Sequence, residues 1–337
     1  MREQAVMSSV NYSKFPCEKQ HNGRYMNPPR GLILGHMPFI GVSYQSRARD
    51  SEYNKIFSRE NSIKRVIEAA VEIGIHRFAS ATEHASPLSS LHLEALQSVI
   101  EAGHNIEVIP CIGIPLRLGN TEIDPYRRWA TYVHIEAQLY PEAKQRMIHD
   151  PIMNFRENWQ SRLTSSKPYD EGQLHKLTIN WEIVDEDLQF FMQLPVNHIE
   201  FGSETDLLAM AGRFDLLEEL IDHARSRGFN QVSFGLHHAG LTIPLLDEQL
   251  QDVGYVTPLN PLGVMMFPTK PSVEEAVRNA KGAVVAIKPL AGGRVKPPQA
   301  FNYLVNVPVE EFMVGVGSVS ELRQNVKAAS EVFPRVN

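Results

Sequence analysis

AVVAIKPLAGGRV at residues 283–295 and FMVGVGSVSELRQNVKAA at 312–329 repeat one pattern, with an amphipathic spacer between them. Each opens on an apolar run, turns at glycines and continues into a helical period. The pattern predicts strand, Gly-rich turn, helix, strand, Gly-Ser turn, helix. Strands that are apolar throughout belong in a parallel sheet buried on both faces. Lys288 stands where the first apolar run ends. The GGR and GVGS turns that follow can present backbone N–H groups to an anion.

The same cadence extends upstream. Gly74 precedes IHRFASA, Gly103 precedes IEVIPCIGI, Gly228 precedes QVSFGL, Gly254 precedes YVTPL and Gly282 precedes AVVAIK. Each glycine is expected at a helix C′ position with positive φ. Ile63, Val66, Ile67 and Ala70 form one helical stripe, and Val273, Ala276, Val277 and Ala280 form another. Ser272 with Glu275, and Ser318 with Glu321, have capping-box spacing. Adding LILGHMPF near the start, HIEFGS near 200 and FMVGVG near the end gives eight strands alternating with helices. That number in this length predicts a (β/α)8 TIM barrel over residues 30–337. A doubly wound open sheet would want a glycine fingerprint after the first strand, and LILGHMPFIG has none. Residues 117–182 are too long for a simple connection, so a helical insertion near the barrel mouth, either a lid or a subunit contact, is expected there. Residues 1–29 are polar and lack periodicity, and read as an N-terminal arm.

Composition narrows the partners. The chain has 337 residues, 43% hydrophobic and 21% charged, with a formal net charge of −6. Nothing in that balance suggests nucleic acid or an anionic membrane. No apolar run reaches the roughly 18 residues of a spanning helix, and the N-terminus lacks the apolar core of a signal peptide. The only cysteines, Cys17 and Cys111, read as free thiols in a reducing cytoplasm. The expected partner is a small molecule with an anionic group, and a homo-oligomer is compatible with the chain.

The motifs resemble the aldo/keto reductase family over most of residues 31–330. VSFGLHHAG resembles its fifth-strand "GVSNH" region, TPLNPLGVMM the sixth strand, AIKPLAGG the seventh, and VGVGSVSELRQNVKAA the eighth strand with its helix. SIKRVIEAAVEIGIHRFASA resembles the helix and strand that usually end in "FDTA". The resemblance implies a barrel whose last two βα turns hold the phosphates of a nicotinamide dinucleotide. It also implies a Tyr acid supported by Lys, Asp and His, and here the sequence departs. The family's Asp falls on Ala79, its Tyr on His84, its Lys near Cys111 or Ile112, and its His near Thr205. The Ser-Asn pair that usually holds the nicotinamide amide falls on His237 and His238. Fold does not carry the reductase reaction with it.

Candidate residues follow from both readings. Lys288, at a strand end, is expected to have a lowered pKa and to act as a nucleophile, acid/base group or phosphate ligand. Gly292, Gly293, Arg294, Gly315, Gly317 and Ser318 form an expected anion cup, with Arg323 and Asn325 adding contacts. His36, Glu83, His84, Glu204, His237 and His238 lie at or beyond strand ends, where they are candidates for a divalent metal site. Alternatively, His84 and His237 or His238 transfer protons without metal. Asn260 either orients a ligand or stabilises its own turn. The leading expectation is a barrel enzyme on a small polar or phosphorylated substrate, using His/Glu or metal-assisted chemistry with Lys288, of lyase, isomerase or hydrolase type. The alternatives are an NADP(H)-dependent oxidoreductase with a rebuilt proton donor and a non-catalytic ligand-binding barrel.

Overall fold

The computed structural model describes residues 28–309 and 311–334. Cys17 and nearly all of the expected arm at 1–29 lie outside the described residues.

Eight parallel strands close into a barrel: β1 (Leu32–Gly35), β2 (Arg77–Ala81), β3 (Glu107–Ile112), β7 (His198–Phe201), β8 (Gln231–Gly235), β9 (Val253–Pro258), β10 (Val284–Ile287) and β11 (Glu311–Gly315). Each coincides with an expected apolar run. Closure is made by β1 against β11, Leu32 opposite Phe312 through Gly35 opposite Gly315. On its other side β1 pairs with β2, Leu34 opposite Phe78.

Alternation along the strands sends one set of side chains outward to the helices and the other inward. Inside, Ile33, Ala79, Ile109, Val256 and Val285 pack together, with Cys111, Ile287 and Met313 against them. The amino end of the interior is polar. Arg77 Nε donates to Glu107 Oε2 at 2.9 Å, its Nη1 pairs with Glu311, and its Nη2 lies 3.2 Å from His198 Nδ1. His198 Nε2 in turn meets Ser233 Oγ at 2.7 Å.

The glycine rule holds at Gly74, Gly103 and Gly228, with φ of +99°, +89° and +94°. It fails at Gly254 and Gly282, which are glycine for space. A Cβ on Gly254 would lie 2.5 Å from Ser233 Oγ, and one on Gly282 would lie 2.1 Å from the Val253 carbonyl oxygen. The Ser272–Glu275 box is also displaced. The helix Lys270–Asn279 is capped one turn earlier, by Thr269 with Ser272 as the reciprocal partner.

The insertion is helical but not only helical. It contains the helices Pro125–Glu136, Ala143–His149, Trp159–Ser165 and Glu171–Leu174. A small antiparallel sheet missing from the sequence reading holds its base: β4 (Leu116–Leu118), β5 (Thr121–Glu122) and β6 (Leu177–Ile179), in the order β5-β4-β6. Strands this short carry too little alternation to stand out. The insertion's aromatics form its core. Trp129 meets Trp159 edge-on at 5.4 Å and 85°, and Tyr132 at 5.4 Å and 88°. Asp150 Oδ2 accepts from Met265 N at 2.7 Å, and Arg294 Nη2 donates to the Pro151 carbonyl at 3.2 Å. Those bonds tie the insertion to the loops after β9 and β10. No helix among the described residues is long and apolar enough to cross a membrane.

Candidate active site at the barrel mouth

Lys288 follows the last residue of β10. Val285 and Ile287 face the barrel interior, so strict alternation would send residue 288 toward the helices. The chain instead turns there with φ +53°, and Nζ comes to 5.1 Å from the centre of the Tyr44 ring. A left-handed lysine costs about 1–2 kcal/mol. Tyr44 (φ +58°), Met265 (+56°) and Ala291 (+48°) share that conformation and also lie in loops beyond the carboxyl ends of strands. Two further left-handed residues lie elsewhere, Asn158 in the insertion and Asp252 before β9, so the strain is greatest in number, though not confined, at this rim, and such strain is a feature of functional sites.

Glu200 lies beneath Lys288. It shares the inward face of HIEF with His198, and its Oε2 accepts from Cys111 Sγ at 3.0 Å. Burial raises the Glu200 carboxyl above the usual range, while Cys111 and the Lys288 charge oppose the shift. The Cys111 thiol is raised by burial and by Glu200. Burial pushes the Lys288 amine down to about 8, with Glu200 opposing and Arg156 reinforcing. His36 is held down to about 4 by burial and the Lys288 charge. His92, beside it, is held at about 3. The Tyr44 hydroxyl is pushed up to about 12, chiefly by burial, and senses Arg156, Glu200 and Cys111.

Of the histidines placed in the candidate set, His237 reaches this cluster. Its ring stacks on Trp129 at 6.1 Å and 25°. Burial lowers its pKa well below the usual value, and the charges of Lys288, Arg156 and Arg128 add to the effect. His238 belongs to the packing instead. It is fully buried, its Nδ1 is 2.8 Å from Glu136 Oε1, and its ring lies 4.2 Å from Tyr132. Asp206 fixes this corner by accepting from His237 N at 2.7 Å, His238 N at 3.3 Å and Thr242 Oγ1 at 2.9 Å. His84 and Glu83 are exposed on a short 3-10 turn, with His84 beside Asp187 of the outer helix Trp181–Phe191. Glu204 pairs with Arg128 and accepts from Ile114 N at 3.3 Å. The six residues expected to hold a metal are therefore dispersed, and among the described residues no three His, Cys, Asp or Glu gather as ligands.

Asn260 is spent on its own turn. Its amide donates to the Val264 carbonyl at 2.9 Å, and its oxygen accepts from Val264 N at 3.0 Å. The expected anion cup is likewise occupied from within the chain. Gly317 N donates to Glu321 Oε2 at 2.7 Å, and Ser318 Oγ accepts from Glu321 N at 3.1 Å. Glu321 Oε1 is bound by Arg49 Nη2 at 2.6 Å. A Cβ on Gly317 would lie 2.4 Å from the Tyr53 ring, and one on Gly315 would lie 2.7 Å from Pro38. The helix Arg47–Ile56, which carries Arg49 and Tyr53, thus packs directly on the turn. Arg294 Nη1 donates to the carbonyls of Tyr44 at 2.8 Å and Ala291 at 3.1 Å. Gly292 and Gly293 abut Tyr44 and Gln45. Arg323 is exposed and Asn325 is buried. As folded, these residues do not fit the phosphates of a nicotinamide dinucleotide: a carboxylate sits where the anion would.

Sequence reasoning missed Glu200, Tyr44, Arg156 and His92. Glu200 alone left a signal, as a carboxylate inside the short strand HIEF. The other three arrive from a loop, the insertion and a helix, whose course the sequence pattern does not fix.

No protein-family model and no curated protein matches the chain. Among solved structures, it is similar to "the putative aldo-keto reductase" from Pseudomonas aeruginosa, with 13% identity, TM-score 0.50, and 91% of this chain and 95% of that one covered. An aldo-keto reductase from Bacillus halodurans in its holo form shows 13% identity and TM-score 0.48, with 91% and 89% covered. At such identity the likeness to the Pseudomonas aeruginosa protein concerns the fold alone, and it agrees with the closed eight-stranded parallel barrel described above: the chain is a TIM barrel.

Proposed function

We propose that this barrel is an enzyme acting on a small polar carbonyl compound, with the Lys288 amine as its reacting group. The observation that carries the reading is the placement of that amine. It is held by a strained residue at the mouth, above the half-buried Glu200 carboxyl, and pushed down to about 8. An amine with that pKa has a free lone pair at a substantial fraction of sites near neutrality. It can take a proton or add to a carbonyl carbon. Glu200 is the proton partner beneath it, and His237, kept neutral by burial and then by the surrounding cations, is a second acid/base group. His84 and His238 have no part in this scheme. No step is routed through NADP(H), because the cup that would hold its phosphates is filled by Glu321. No step is routed through a metal, because the candidate ligands are dispersed.

The test is reductive trapping with glyoxylate and cyanoborohydride. The amine adds to the aldehyde carbon, water leaves, and the imine accepts hydride to give a carboxymethyl-lysine. Peptide mapping is expected to find Lys288 labelled well ahead of exposed lysines such as Lys55 and Lys327, with a rate that rises as pH passes through about 8. Labelling of Lys288 no faster than of the exposed lysines sinks the proposal. A barrel that only binds its ligand gives that same negative result.

A further inference from the structure

Arg156 is the outlying charge of the mouth. It follows the turn Met153–Phe155 of the insertion. Its guanidinium carbon lies 5.8 Å from the ring centres of both Trp129 and Trp159. Among the described residues no carboxylate pairs with it. Its electrostatic neighbours are Arg128, Tyr44 and Tyr126, and it acts in turn on Lys288 and His237. Arg128, 8% exposed, gives Nη1 to Glu204, but its buried Nε has no partner. The buried Nδ1 of His237 has none either. The two other carboxylates near Lys288 are engaged. Asp150 accepts from the backbone N–H groups of Ile152 and Met153 at 2.9 and 3.0 Å and of Met265 at 2.7 Å. Glu200 holds Cys111.

Two guanidinium groups and a lysine set against one another, with donors left over, form an arrangement completed by an anion. We infer that the mouth holds a small oxyanion, a carboxylate or phosphate carried by the substrate, between Arg156, Arg128 Nε and His237 Nδ1 and beside Lys288. The inference rests on the active-site reading of the mouth and moves the anionic group there from the glycine turns. The insertion then supplies specificity. Its aromatic shelf places Arg156, whose guanidinium carbon is 5.8 Å from both tryptophan ring centres, where cation–π attraction holds the charge without taking up its N–H donors.

The shelf also provides the readout, because an anion bound at Arg156 changes the environment of Trp129 and Trp159. Titrating the full chain with inorganic phosphate and, separately, with acetate is expected to give a saturable change in tryptophan fluorescence with one or both. Tighter binding of one identifies the chemical source. Arg156→Gln is expected to weaken that binding at least tenfold, and Arg156→Lys to restore part of it. Arg323→Gln, beside the glycine turns, is expected to leave it unchanged. Unaltered binding in Arg156→Gln, selective loss in Arg323→Gln, or no saturable change with either titrant overturns the inference. Saturable Arg156-dependent binding without labelling at Lys288 sinks the amine chemistry and leaves the subsite standing. Labelling at Lys288 without Arg156-dependent binding does the reverse.

Discussion

At the amino end of the barrel, Arg77 meets Glu107, Glu311 and His198, and His198 passes the chain on to Ser233. At the carboxyl end, among the described residues, Arg156 lacks a carboxylate and Arg128 Nε and His237 Nδ1 lack partners, while Lys288 and Tyr44 sit in left-handed backbone. Both ends place charge in poorly solvated surroundings. One closes its hydrogen bonds within the chain, and the other leaves donors unpaired among the described residues. A satisfied polar network specifies structure, whereas an unsatisfied one lowers stability and keeps capacity for binding.

Acid should separate the two ends most strongly. His36 and His92 near the mouth are held at about 4 and 3, and His198 at the base at about 4, all below the usual 6.5. The unfolded chain therefore takes up these protons first as pH falls. Stability is complete above about 6.5 and declines below it, toward the folded-state values, by roughly 1.4 kcal/mol per pH unit for each ring. Urea unfolding between pH 7 and 5 measures the slope. His92→Phe is expected to remove about one ring's share and, since both nitrogens of His92 lack partners, to hold or raise stability at pH 7. His198→Phe should remove a similar share but lower stability at pH 7, because Arg77 and Ser233 lose a partner. Equal outcomes for the two variants would break the comparison.

Arg77→Met tests the base directly. It leaves Glu107 and Glu311 facing each other, each side chain 31% exposed. The expected loss is about 2–3 kcal/mol, below that of a fully buried pair because water reaches the carboxylates. Adding Glu107→Gln and Glu311→Gln should recover part of it, and no recovery would mean that Arg77 acts by packing. The smallest effect is expected at the mouth. Lys288→Gly relieves a positive φ and removes a desolvated amine, against the entropy that glycine adds to the unfolded chain. A net gain of about 1 kcal/mol in thermal unfolding, with trapping at this site abolished, would set the strain at the mouth against the closed network at the base.

The barrel was legible because burial on both sheet faces writes itself as apolar runs, and helix ends write themselves as glycines. Gly254 and Gly282 show the limit of that reading: the same residue type answers a close approach of backbone as well as a positive φ. The site was half legible. Lys288 and His237 lie just beyond apolar strands, so topology alone brings them to one rim. His84 and His238 obey the same positional rule, yet one faces solvent and the other the insertion's core, because side-chain direction in a loop follows from tertiary contacts. The glycine turns after β10 and β11 carry the spacing of an anion site, but spacing does not reveal that Glu321 and Arg49 meet there. Arg156 lies far along the insertion, and tertiary packing beside Trp129 and Trp159 brings it within electrostatic reach of Lys288.

The pairing of β4 with β6 has a consequence for how such a chain can change. Leu116 stands opposite Ile179 and Leu118 opposite Leu177, so the long excursion leaves and rejoins the barrel about one strand spacing apart, roughly 5 Å. Its two ends are fastened to each other before they meet the barrel, and the closure entropy grows only slowly with what lies between. The segment is in effect a cassette on a stem. Replacing what the stem carries would exchange Arg156, the residue proposed to meet the anion, while leaving the register of the eight strands as it is.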